Sequence, residues 1–295
     1  MSERIGVVAG VASCTLGGMA AAFTRYLVAD LDPVALASFR FGIGFLVLLP
    51  LALRERWPRG CDWIGVALLG LLFFAVFFTL FNLALSYTTA ARGSLALSAL
   101  PLVTMVVAAL LGAEALTLRK TSGVLIAVAG VAAALGAGLA SAPAGAWRGD
   151  LIMVGATLCM ALYSIWSRPL IARSSALGFL TAGMGVGAAA VTIAAAAQGS
   201  FSGVAAFGAG QWLAVAYLGV CGGALAFFLW IWALQRASPT RVTATMTANP
   251  PASALLASVL VGEPLGLPLV LGVAAVFAGL WIASSTPRAR AAAAP

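Results

Sequence analysis

With 295 residues, 63% of them hydrophobic and only 8% charged, the chain lacks the polar surface of a soluble globule and belongs in lipid. Its formal net charge of +8 comes from basic residues set singly at the ends of apolar runs, which excludes a nucleic-acid patch and reads as a topology signal. Histidine is absent and the four cysteines have no CxxC spacing. The commonest general base and metal ligand are therefore missing, an enzyme is not expected, and neither is a metal or cofactor.

A helix crosses the roughly 30 Å hydrocarbon layer in about 20 residues. Apolar runs bounded by charges and turn residues predict spans near 5–28, 33–53, 63–86, 91–112 and 120–140, then 150–171, 176–197, 211–235, 240–261 and 266–285. The first run is too long for a signal-peptide core and is read as a span. An N-terminus inside the cell puts twelve Arg and Lys residues on that side and only Arg25, Arg92 and Arg148 on the other. This predicts a multi-pass protein of the bacterial inner membrane with both termini cytoplasmic.

The second span opens on an N-cap and first-turn proline, Asp32-Pro33. Arg40 follows seven residues later and is the basic residue placed more than a turn inside a span, where a charge costs at least about 2.5 kcal/mol. Two roles stay open: binding a substrate carboxylate, or anchoring helix ends and carbonyls. In the third span Phe74, Phe77, Phe78 and Phe81 form a stripe that lines a cavity or packs against lipid and core. Phe77 and Phe78 are its substrate-binding candidates. Tyr163 of the sixth span carries a hydroxyl that needs a partner at that depth.

The fourth span holds Pro101 near its middle and the ninth holds Pro250-Pro251. A mid-helix proline frees the carbonyl four residues back and kinks the helix, which predicts paired hinges beside a cavity, with static kinks as the alternative. Ser98, Thr247 and Asn249 stand beside these prolines as candidate cavity groups, unless the hydroxyls bond their own backbone. Glu114 and Glu263 read as gate or capping groups at span ends. All eight acidic residues lie near helix ends or in loops, so no proton relay within the membrane is expected.

Shifted against itself by 149 residues, the segment from Ala84 aligns without a gap on the segment from Ala233. Arg92 falls on Arg241, Pro101 on Pro250 and Glu114 on Glu263, three scarce residue types in register. Halves of five spans each must enter the membrane from opposite sides, a plan typical of alternating-access transporters.

The Thr/Ala-rich helix entry, mid-helix proline, small residue and Glu, found in both halves, together with DPVALASFRFGIGFLVLL at 32–49, resemble the EamA-type branch of the drug/metabolite transporter superfamily. The resemblance implies an all-α polytopic protein of ten transmembrane helices in two inverted five-helix EamA repeats. These cover 1–145 and 146–286, with a disordered tail at 287–295. It also implies export of amino acids or related metabolites without ATP, and is compatible with aromatic-amino-acid exporters of the YddG type. No arginine matches Arg40 in the second half. The expected partners are a small-molecule substrate and membrane lipids, with no nucleic acid, and a single copy suffices for the pathway. An integral-membrane enzyme acting on lipid-linked substrates, an ion channel and an exporter of drugs or other metabolites are the alternatives.

Overall fold

The computed structural model describes residues 2–97, 99–111, 143–234, 236 and 245–267, with isolated positions between 118 and 133 and between 270 and 278. Among the described residues every regular element is helical. The chain runs through α1 (Ser2–Leu27), α2 (Pro33–Ala52), α3 (Asp62–Tyr87), α4 (Ala90–Leu97), α5 (Leu100–Leu110), α6 (Ala146–Arg173), α7 (Ala176–Ala197), α8 (Ala209–Ala233) and α9 (Asn249–Leu260). Seven described segments are long and apolar enough to cross a membrane. Most of the expected fifth and tenth spans, the tail and residues 240–244 of the ninth span lie outside the described residues, so the ten-helix total is not established.

The helix starts follow the chemistry expected of them. Asp32 accepts the Val34 N–H at 2.8 Å with Pro33 in the first turn, and Ser175 accepts the Gly178 N–H at 3.0 Å, each satisfying a donor that the helix itself cannot. At helix ends Trp63, Trp147 and Trp212 are partly exposed, as indoles placed at a membrane interface should be.

Two departures from regular α-helix fall at repeat-related places. α3 contains a π-helical segment, Leu71–Phe77, and α8 another, Val220–Leu225, and residue 71 shifted by 149 is residue 220. A glycine precedes each. A Cβ on Gly70 would collide with the Gly183 carbonyl of α7, and one on Gly219 would lie 2.5 Å from the Ile43 Cβ of α2. Each π segment thus sits where a helix of one half is pressed against a helix of the other, the close approach that small residues permit in lipid.

The second pair concerns the prolines. The fourth span is broken into α4 and α5 around Ala99, and α9 begins after a 3₁₀ turn, Thr245–Ala248. Pro101 and Pro250 each take the second position of a new helix. Each proline thus stands in the first turn of a described helix, where it lacks only an N–H that has no intrahelical partner.

α1 packs against α9 and α8, α2 against α7, and α3 against α6 and α7, so contacts between the halves dominate the core. The start of α4 meets the region just after α9, through Ala90 and Glu263. The repeat-related fourth and ninth spans therefore run in opposite directions.

Candidate substrate site

The largest buried cluster is aromatic. In α3 the order LLFFAVFF places Phe73, Phe74, Phe77 and Phe78 at i, i+1, i+4 and i+5, one broad face directed inward, and all four are buried. Phe41 of α2 lies 4.4 Å from Phe78, Phe227 of α8 lies 5.6 Å from Phe73, and Tyr163 of α6 stacks on Phe73 at 4.2 Å and 14°. Offset and edge-to-face pairs of this kind contribute about 0.5–1.5 kcal/mol each beyond area burial. Both halves of the chain supply rings. The Tyr163 hydroxyl has no hydrogen-bond partner among the described residues, so the expected partner is not found.

Arg40 lies on the edge of this cluster, 4% exposed. Its Cζ stands 4.6 Å from the Phe78 ring centre and 5.6 Å from that of Phe41. Nη2 donates to the Gly222 carbonyl at 2.9 Å, inside the π-helical segment of α8, while Nε and Nη1 have no partner among the described residues. The same side chain thus anchors a carbonyl and keeps two nitrogens without a partner among the described residues.

The broken helices border the same cluster. Leu97, Leu100 and Met246 belong to it, and Ala248 packs against it. Asn249 is buried against Gly17 and Gly18 of α1, with its Oδ1 unpartnered. The structure therefore brings together Arg40, Phe77, Phe78 and Tyr163, with the restart of α9 alongside. Ser98 and the Thr247 side chain lie outside the described residues. Phe41 and Phe73 were not singled out in the sequence, although Phe41 adjoins Arg40 and Phe73 begins the α3 stripe.

One face of the bundle is tied by partly buried charges. Glu263 accepts the Ala90 N–H at 3.0 Å and pairs with Arg25 Nε at 3.4 Å. Arg25 also donates to the Leu85 carbonyl at 3.1 Å. Nearby, Arg92 meets Asp150 at 2.6 Å, and Thr88 donates to the same carboxylate at 3.2 Å. Both ties join one half of the chain to the other. On the opposite face Asp62 pairs with Arg173 at 3.1 Å, with Arg173 58% exposed, where solvent leaves such a pair worth little. Glu263 thus joins the two halves, while Glu114 lies outside the described residues. The partners of Glu263 and Asp150 were missed in the sequence, although Arg25 and Arg92 are two of the three basic residues expected on the sparsely charged side.

If the paired helix breaks serve movement, replacing Pro101 and Pro250 together by alanine is expected to slow flux several-fold while the yield of folded protein changes little. Unchanged flux in liposomes, at equal protein, would remove the prolines from the working parts.

Known proteins agree with this arrangement. A family model described as the EamA-like transporter family matches twice, at residues 4–136 and 147–285. An uncharacterized transporter of Archaeoglobus fulgidus is 26% identical over 275 residues, covering 91% of this chain and 94% of the relative. A probable terminal-alkyne amino-acid exporter of Streptantibioticus cattleyicolor is 28% identical over 232 residues, covering 77% and 75%. A crystal structure shares the fold over 95% of both chains, with a TM-score of 0.67 at 22% identity.

Proposed function

This chain belongs to the EamA-like transporter family, and we propose that it is a secondary exporter of small metabolites bearing a carboxylate and an apolar body. Amino acids, aromatic ones included, are the first class to test. The carrying observation is the junction of Arg40 with the rings of Phe41, Phe73, Phe77 and Phe78. A guanidinium offers two parallel donors to a carboxylate, while aromatic side chains remove the rest of such a molecule from water. The name of the Streptantibioticus relative, an amino-acid exporter, points to the same class.

Alternating access follows from the repeat. Two halves that cross the membrane in opposite senses exchange conformations, so a site open to one side becomes open to the other. Opposed directions of the fourth and ninth spans support this inversion. The ties at Glu263 and Asp150 support reading that face as the closed one. No ATP-binding loop occurs in the sequence, so gradients of the cargo or exchange drive the cycle, in a bacterial inner membrane with both termini cytoplasmic.

The test is uptake of a radiolabelled panel of aromatic and aliphatic amino acids into liposomes containing the purified full chain. Saturable flux of one group above empty liposomes is the expected result. Absence of flux for every amino acid would discard that cargo class and send the search to other metabolites and drugs.

A further inference from the structure

The centre of the protein carries positive charge that no group of opposite sign answers among the described residues. Arg40 is buried, spends one donor on a neutral carbonyl, and leaves Nε and Nη1 unpartnered among the described residues. Its neighbours on the cluster side are the faces of Phe78 and Phe41, which stabilise a cation and do not neutralise it. α5, with 11 residues, and α9, with 12, both begin beside the same cluster, where Leu97, Leu100, Met246 and Ala248 pack. Their first turns hold Pro101, Pro250 and Pro251, which have no N–H, so the positive group at the cluster is Arg40.

Negative charge is placed elsewhere. The eight acidic residues are Glu3, Asp30, Asp32, Glu55, Asp62, Glu114, Asp150 and Glu263, and each stands at the end of a predicted span or between two spans. Glu263 and Asp150 are engaged at one face and Asp62 at the other. A cargo ammonium at the cluster would find no carboxylate there, and the Phe78 ring face that could attract it already holds Arg40.

We infer that the site reads its cargo as an anion, through a carboxylate or similar planar oxyanion, and does not require an ammonium group. The inference rests on the cluster being the cargo site. Acids with an apolar body and no amino group are then carried at least as well as the matching amino acid, and each molecule moves one net negative charge. An inside-negative membrane drives such a monoanion outward, and about 60 mV sustains a roughly tenfold concentration ratio for one charge. The direction of export is set by the electrical gradient, with no coupling ion required.

The deciding experiment compares two radiolabelled probes with the same body, phenylpyruvate and phenylalanine. The full chain is placed in liposomes whose potential is fixed with potassium and valinomycin. Phenylpyruvate is expected to show saturable flux that accumulates on the positive side by about tenfold per 60 mV. It should compete with phenylalanine, whose own flux ignores the potential. Phenylalaninamide, which has the ammonium and no carboxylate, should not compete. Arg40→Lys should keep the dependence on potential with weaker apparent affinity, and Arg40→Gln should lose phenylpyruvate flux before phenylalanine flux. Transport of phenylalanine with neither transport nor competition by phenylpyruvate would overturn the inference and leave the exporter reading intact. Flux of neither probe through folded protein would overturn both. Should Arg40→Gln fail to fold, the wild-type competition series decides alone.

Discussion

Replacing Gly70 by valine is expected to abolish transport and to lower the yield of monodisperse protein severely. The new Cβ would overlap the Gly183 carbonyl and lie 2.9 Å from the Gly183 Cα. Both are backbone atoms of α7, so no side chain can rotate away and α3 must separate from α7. Overpacking in an ordinary core costs about 1–3 kcal/mol, and here the displaced groups are a whole helix and the rings it carries. Phe73, Phe74, Phe77 and Phe78 follow directly on α3, so the cluster around Arg40 would lose its wall even in molecules that insert. Gly155 provides the control, because nothing lies within 4 Å of a Cβ built there; Gly155→Ala should leave both yield and flux unchanged. Size-exclusion profiles and liposome flux of the two variants test the claim. A well-folded, active Gly70→Val protein would show that the α3–α7 contact is not needed.

Apolar periodicity located the described spans closely because lipid demands a nearly fixed length of each. The predicted 33–53 became Pro33–Ala52, 63–86 became Asp62–Tyr87, and 176–197 was found unchanged. What lies inside a span was less legible. Pro101 and Pro250 mark the right places, yet a proline permits either a kink or a new helix start. Both prolines stand in first helical turns, where a missing N–H costs little because it has no intrahelical partner in any case. The π-helical segments had no compositional signature beyond the glycine before each.

Arg40 illustrates the same limit at the candidate site. Its depth followed from counting residues beyond Pro33, whereas its carbonyl partner, Gly222, lies 182 residues away and depends on which helices meet. The absence of a matching arginine in the second half is now meaningful in physical terms. The positive centre is built once, by α2 against α8, while first-turn prolines occur in both halves. Movement can therefore be symmetric even though recognition is not.

Glu263→Ala is expected to raise the rate at which the tied face opens by a large factor, since it removes the acceptor of the Ala90 N–H and the partner of Arg25 together. Burial pushes the Glu263 carboxyl above its ordinary range, and this outweighs the Ala90 N–H and the Arg25 charge that hold it down. The sign of the pH effect follows. A carboxyl whose pKa is higher when the face is tied than when it is open takes up a proton on closing, so acid favours the tied form. That advantage is complete below the ordinary carboxylate value and is lost as pH rises through the raised one. Above it the carboxylate stays ionised and desolvated, held by few groups and poised to release. Glu263→Gln, which keeps an acceptor for Ala90 without the charge, should then hold the face shut and remove the pH dependence, whereas Glu263→Ala opens it at every pH. Spin labels on α1 and α9 near this face would report the separation. Opening by Gln and Ala alike would mean that the charge, and not the Ala90 hydrogen bond, holds the halves together.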